Sequence, residues 1–341
     1  MPRSEQQPVT LEQQRICLLG TYWYRGEDFL VLLDTGSADL VCYCTMEACD
    51  APPDIDAVGY ISDCAEEDCQ GVPTYKKTAS LSLTDTPFHL DYLMGAVTGT
   101  VGSETVTLGQ FNISDQVFAL ANDTSGLGLS GTGNSGILGL SFPAEAAIPD
   151  TSGRTLVENF SLLSPTIATV TLHPLFANST SDFAYTPVFS ADGSDYDYWK
   201  MPLQSLTING TTFSLSPSRV DGASAPIAVF DTGTTLMLGP SADVDRFWQS
   251  VGGARKTDDG WQVRCDRAAL LSFVLGDGDS QKEYMVDPAD ISWEEGFADG
   301  EWCMAGVQGN DGVFSGDWLL GDTFLRNVYV VHQRQRITSR Q

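Results

Sequence analysis

An apolar run ending in Asp-Thr-Gly plus a hydroxyl residue occurs twice in this chain, and that duplication limits the available folds more than any other feature. Residues 29–40 read FLVLLDTGSADL, with Asp34, Thr35, Gly36 and Ser37; residues 227–237 read IAVFDTGTTLM, with Asp231, Thr232, Gly233 and Thr234. After a long β-rich stretch, each copy is followed by two aliphatic residues and a glycine: Ile137, Leu138 and Gly139, then Leu319, Leu320 and Gly321. A single Asp-Thr-Gly is weak, because average composition produces it by chance and it usually marks a plain turn. Two copies in the same setting describe a chain built from two diverged copies of one β-domain.

The rest of the pattern agrees. Short apolar segments between Gly, Pro, Asn, Asp and Ser clusters predict strands, for example at residues 105–109, 167–172 and 328–331. Helical patterning is confined to residues 155–160 and 241–250, the latter opened by Ser241 as a cap. The expectation is an all-β fold of two similar β-barrel-like lobes with a central cleft and a few short helices. A polar boundary near residues 183–190 gives an extension at 1–14, an N-terminal lobe at 15–185, a C-terminal lobe at 186–337 and a tail at 338–341. A length of 341 residues suits two such domains.

Acidic side chains outnumber basic ones 45 to 18, a net charge of −27 that repels nucleic acid and anionic membrane surfaces. The longest aliphatic runs, such as residues 30–33, fall far short of the roughly 18 apolar residues of a membrane span. No hydrophobic signal core opens the chain. The secretory pathway is nevertheless expected, with a secreted or vacuolar/lysosomal destination. Eight cysteines are even in number, six of them crowded between Cys17 and Cys69, with Cys265 and Cys303 left to pair in the second half. Five sequons, at Asn112, Asn122, Asn159, Asn178 and Asn209, are glycosylation candidates. A metal site is the alternative for the first cysteine cluster, but no histidine lies near it. Six cysteines allow fifteen pairings, and the residues do not choose among them. His89, His173 and His332 are isolated, so neither a metal nor a cofactor is expected. Ser130, Ser141 and Ser315 lack the nucleophile-elbow pattern, and Arg334, Arg336 and Arg340 read as a solvated tail.

The duplicated motif has a chemical logic. Glycine permits a sharp turn and close approach of a substrate backbone, while the neighbouring hydroxyls can orient the carboxylate. If the copies face each other across a pseudo-twofold axis, Asp34 and Asp231 meet, share one proton and activate a water between them.

At these residues the sequence resembles the pepsin-like aspartic proteases, in particular those of fungal type, from about residue 15 to residue 337. The resemblance implies Asp34 and Asp231 as the catalytic pair. Thr35 and Thr232 match buried threonines that cross-bond the two loops, and Ser37 and Thr234 match hydroxyls bonded to the outer carboxylate oxygens. Residues 91–106 resemble the flap hairpin, which places Tyr92 and Gly95 over a bound peptide. Gly36, Gly233, Thr234 and Thr235 match positions that hold the substrate main chain. Cys265 and Cys303 match the carboxy-lobe disulfide, and Cys44 with Cys49 the small amino-lobe one. The implied partners are extended protein or peptide substrates, and the implied state is a monomer. Several positions depart from the family pattern: Val41 stands where a tryptophan usually bonds the flap tyrosine, Leu93 replaces a glycine, Met94 a polar residue, and Ser135 an aspartate. Residues 23–27 replace the usual Gly-Thr-Pro-Pro turn. The sequence therefore predicts an aspartic endopeptidase active in acid, with a catalytically silent peptide- or protein-binding homologue as the alternative.

Overall fold

The computed structural model describes residues 19–24, 27–43, 75, 81–93, 95–108, 111–124, 134–148, 153–163, 166–171, 184–193, 196–293, 301–313 and 315–335. They belong to two compact units: residues up to Ile167 together with those from Gln335 onward, and Ala168–Arg334.

In the first unit, strands β1 (Leu19–Tyr24), β2 (Glu27–Asp34), β3 (Leu40–Tyr43), β4 (Ser82–Asp91), β5 (Ala96–Leu108), β6 (Phe111–Asp123) and β7 (Gly136–Gly139) form a sheet ordered β1-β2-β7-β3-β6-β5-β4. An added contact of Trp23 with Thr107 pairs β1 with β5 and curls the sheet toward closure. β5 shows how one strand serves two cores. Val97 and Val101 lie in a cluster with Leu32, Val41, Phe88, Ala119, Ala121 and Ile137, whereas Val106 joins Val31, Leu40, Phe118, Leu120 and Leu138. Val101 and Val106 stand five residues apart, so strict alternation sends them to opposite faces and hence to different clusters, and the register shift between Glu104 and Val106 leaves that division intact.

The expected helix near residue 155 runs over Leu156–Leu163 and buries Leu156, Val157 and Phe160 in the second cluster. Its start is a reciprocal cap. The Thr155 amide donates to Glu158 Oε2 at 2.8 Å, and the Glu158 amide donates to Thr155 Oγ1 at 3.3 Å.

In the second unit the main sheet is ordered Lys282–Val286, Leu271–Leu275, Lys200–Ile208, Ile227–Phe230, Trp318–Leu320, Met237–Gly239 and Val307–Gly309, with Thr211–Phe213 folded back on Lys200–Ile208. The helix Ser241–Val251 buries Val244, Phe247, Trp248 and Val251, and the Trp248 indole donates to the Val307 carbonyl at 2.9 Å. Ser241 does not cap it. Pro240 occupies the cap position, and the Ser241 amide donates instead to Asp311 Oδ1 at 2.9 Å. The expected strand at residues 328–331 begins only at Val330 and runs to Gln335. Val328 still belongs to the turn after Asp322–Leu325, its amide donating to the Leu325 carbonyl. Cys265 and Cys303 form the disulfide matched in the sequence, closing a span of 38 residues.

His332 on that last strand is buried, its ring 4.9 Å from that of Trp199, and neither ring nitrogen has a hydrogen-bond partner among the described residues. Burial without a partner favours the neutral ring and lowers its pKa from 6.5 to about 4. As pH falls, the unfolded chain takes up this proton first, so the stability present above pH 6.5 is lost progressively down to pH 4. The loss reaches about 3 kcal/mol at about 1.36 kcal/mol per pKa unit. Replacing His332 by Phe is expected to abolish that component of acid destabilisation, which urea unfolding at pH 7 and pH 4 will measure.

Candidate active site

β2 ends at Asp34 and lies parallel to β7, with Asp34 opposite Gly139, while β3 lies antiparallel on the other side of β7. The chain between Asp34 and Leu40 must therefore loop around the end of β7. The amide of Gly139 donates to the Asp39 carbonyl at 2.9 Å, that of Leu140 to the Asp34 carbonyl at 2.7 Å and that of Ser141 to the Ser37 carbonyl at 2.8 Å. A Cβ on Gly139 would come within 2.5 Å of the Asp39 amide, so only glycine fits beneath this loop. Held in this way, Asp34 is 4% exposed. Its Oδ1 accepts from the Gly36 amide at 2.8 Å and its Oδ2 from the Ser37 hydroxyl at 2.5 Å.

The second unit repeats the construction. Ile227–Phe230 lies parallel to Trp318–Leu320, which is antiparallel to Met237–Gly239. The Gly321 amide donates to the Leu236 carbonyl, five residues beyond Asp231, as Gly139 does to Asp39, five beyond Asp34. A Cβ on Gly321 would lie 2.2 Å from the Thr234 carbonyl oxygen. Asp231 is 6% exposed, with Oδ1 accepting from the Gly233 amide at 2.8 Å and Oδ2 from the Thr234 hydroxyl at 2.6 Å. Each loop thus prepares one carboxylate through short-range contacts of its own, with charge-assisted bonds to both oxygens.

The two loops differ where Leu140 in the first corresponds to Asp322 in the second. Burial pushes the Asp322 carboxyl well above the usual carboxylate range; the negative charge of Asp231 adds to the rise, and Arg326 partly offsets it. Sequence reasoning passed over this residue, although setting Leu-Gly-Leu against Leu-Gly-Asp in the repeat exposes an acid in an apolar slot. It also passed over Asp39. Asp39 is 2% exposed and ties the loop to the following turn by accepting from the amides of Ala147 at 2.6 Å and Ile148 at 3.4 Å. Burial raises its pKa, and those two bonds oppose the rise.

Of the remaining expected residues, Thr35 and Thr232 are both buried beside their aspartates. The Thr235 carbonyl accepts from the amide and hydroxyl of Thr323. β4 and β5 pair as an antiparallel hairpin over the residues expected to form the flap. Tyr92 directly follows β4, its amide donating to the Gly95 carbonyl at 3.0 Å, and Gly95 takes the positive φ of 77° that this turn needs. Leu93 is 45% exposed at the tip, and His89 pairs with Asp91 at 3.2 Å on the strand below. Val41 is fully buried, and Tyr92 packs against the apolar cluster that contains it. Asn112 and Asn209 are exposed, Asn122 is half-buried, and the side-chain amide of Asn159 donates to Gln116. Met94, Cys44, Cys49, Asn178, Ser130 and His173 lie outside the described residues.

Residues 24–339 match the family described as eukaryotic aspartyl protease, and the chain belongs to that family. It is 27% identical over 334 residues to the major aspartyl peptidase 1 of Cryptococcus neoformans var. grubii, a match covering 89% of this chain and 63% of that protein. It is 27% identical over 329 residues to pepsin A of Bos taurus, covering 91% and 78%, and 25% identical over 334 residues to chymosin of Ovis aries, covering 90% and 75%. The chain thus spans less than two thirds of the length of the fungal relative. Among the described residues no helix is long and apolar enough to cross a membrane.

Two outcomes follow from this geometry. A raised carboxyl pKa means that the folded state binds the proton more tightly, so the contribution of Asp322 to stability is greatest in acid and is lost as pH rises above 3.8. Asp322→Asn is expected to raise stability at pH 7 relative to pH 4, as read from urea midpoints at the two pH values. Val41→Trp forces an indole into a fully packed site and is expected to cost about 1–3 kcal/mol, visible as a lowered thermal midpoint.

Proposed function

We propose that this chain is an aspartic endopeptidase that cuts internal bonds of extended polypeptides in acid. The observation that carries this reading is that Asp34 and Asp231 are held alike, each by the amide two residues on and the hydroxyl three residues on. Each compact unit, one up to Ile167 and one from Ala168, supplies one aspartate, and the boundary between the lobes is read at residues 185 and 186. In this mechanism one carboxylate is ionised and takes a proton from a water, while the other is protonated and donates to the carbonyl oxygen of the scissile amide. Aspartic proteases are the standard example of two carboxylates sharing one proton, and the pair titrates as a unit. The water attacks the carbonyl carbon, and the resulting gem-diol collapses as the amine leaves with a proton.

The substrate main chain is read as lying along Gly36, Gly233, Thr234 and Thr235 beneath the Tyr92–Gly95 turn. Thr35, Ser37, Thr232 and Thr234 support the pair. Passage through the secretory pathway, to a secreted or vacuolar destination, belongs to the same reading and is supported by the Cys265–Cys303 disulfide.

The acid preference follows from the shared proton, because a second ionisation removes the general acid. Residues that act as one unit lose function together. Asp34→Asn and Asp231→Asn are each expected to lower kcat by at least about 10³-fold on a denatured protein substrate, and the double variant to add little. The assay runs from pH 2 to 7 with thermal midpoints followed in parallel, and a statine-type transition-state analogue should abolish wild-type turnover. Substantial turnover by folded Asp231→Asn would defeat the paired-carboxylate mechanism. Peptide binding without turnover by the wild type would assign the chain to the silent homologues instead.

A further inference from the structure

We propose that Asn209 carries an N-linked glycan, which rests on passage through the secretory pathway but is independent of the catalytic reading. Asn209 and Gly210 form the two-residue loop joining Lys200–Ile208 to Thr211–Phe213, with Thr211 paired to Ile208. Their φ values of 49° and 78° are those of a type I′ hairpin turn, which presents its apex away from the sheet. Asn209, Gly210 and Thr211 are all exposed, and nothing lies within 4 Å of the place where a Cβ on Gly210 would point.

The asparagine is also oriented. Its Oδ1 accepts from the Leu270 amide at 3.0 Å, and its own amide donates to the Leu270 carbonyl at 2.8 Å. That leaves Nδ2, the atom to be modified, unbonded among the described residues. The neighbouring Leu270 side chain is 51% exposed, an apolar surface against which a pyranose ring can lie.

Asn159 presents the opposite case. Its Nδ2 donates at 2.8 Å to Gln116 Oε1, and Gln116 is 1% exposed, so a sugar at Nδ2 would break a bond to the interior. Asn122 is half-buried within β6. Asn112 is exposed but lies in the ladder with β5, opposite Thr107.

The transfer is a displacement at the anomeric carbon. The bond from Asn209 Nδ2 to C1 of an N-acetylglucosamine forms, and the bond from C1 to a lipid-diphosphate oxygen breaks. The diphosphate leaves with its electron pair, and one Nδ2 proton passes to a base of the transferase. The donor is a lipid-diphosphate-linked oligosaccharide.

The test is peptide mapping of the full chain, secreted by a eukaryotic host, after enzymatic deglycosylation in H₂¹⁸O. The labelled aspartate that marks a former glycan is expected at position 209 and not at 159. Asn209→Gln and Thr211→Ala should each remove the same single glycan, seen as one step in gel mobility, with turnover unchanged. Complete absence of glycans, together with a reduced Cys265–Cys303 pair, would overturn the secretory reading and this proposal with it. Glycans at other sequons with Asn209 unlabelled, or converted to unlabelled aspartate by deamidation at Asn-Gly, would overturn the proposal alone.

Discussion

A carboxylate buried with both oxygens engaged by its own loop is the constraint on which the rest of each unit depends. Taking an ionised carboxylate out of water costs several kcal/mol unless hydrogen bonds replace its hydration. Here the replacement is local, an amide two residues on and a hydroxyl three residues on, each a charge-assisted bond of roughly 1.5–3 kcal/mol. Those contacts need the loop to turn back at once, and it can do so only because a neighbouring strand passes beneath it with a glycine at the crossing. Gly139 and Gly321 are therefore as constrained as the aspartates. In both cases a Cβ would enter the backbone of the loop above.

This locality explains how much was legible beforehand. The motif residues contact one another within three positions, so their types and spacing are imposed by the turn itself and reappear wherever the turn does. The strand leading into the second loop, Ile227–Phe230, and the strand beneath the first, Gly136–Gly139, are short runs buried at every residue and so covered on both faces. What was not legible depends on partners far along the chain. The helix at Ser241 starts on Pro240, whose carbonyl accepts from the amides of Asp243 and Val244, while the Ser241 amide is taken by Asp311, 70 residues away. The register shift of β5 against β6 between Glu104 and Val106 depends likewise on the partner strand, and alternation within β5 cannot reveal it.

The flap region shows a related trade. The resemblance made Val41 look like the loss of a hydrogen-bond partner for Tyr92. The structure places both in apolar packing: Val41 is fully buried and Tyr92 rests against the same cluster as Phe88 and Val97, residues of the hairpin's own two strands. Dispersion and burial over several side chains can anchor a hairpin root as well as one polar contact, and with less demand on geometry. A one-residue comparison with the family pattern misses this because the compensation is spread over six strands, β2 to β7.

The asymmetry between Leu140 and Asp322 bears on how the second unit responds to acid. Its buried Asp322 binds a proton more tightly when folded, so this group favours the fold as pH falls toward 3.8. His332 in the same unit does the reverse, because folding lowers its pKa to about 4 and its contribution fades as pH drops from 6.5. The two linkages run in opposite directions, so each offsets part of the tilt that the other gives the stability profile. A carboxyl that prefers its proton also limits the negative charge beside Asp231 in acid. One substitution in a duplicated loop thus couples the electrostatics of the candidate site to the pH range in which the unit that carries it stays folded.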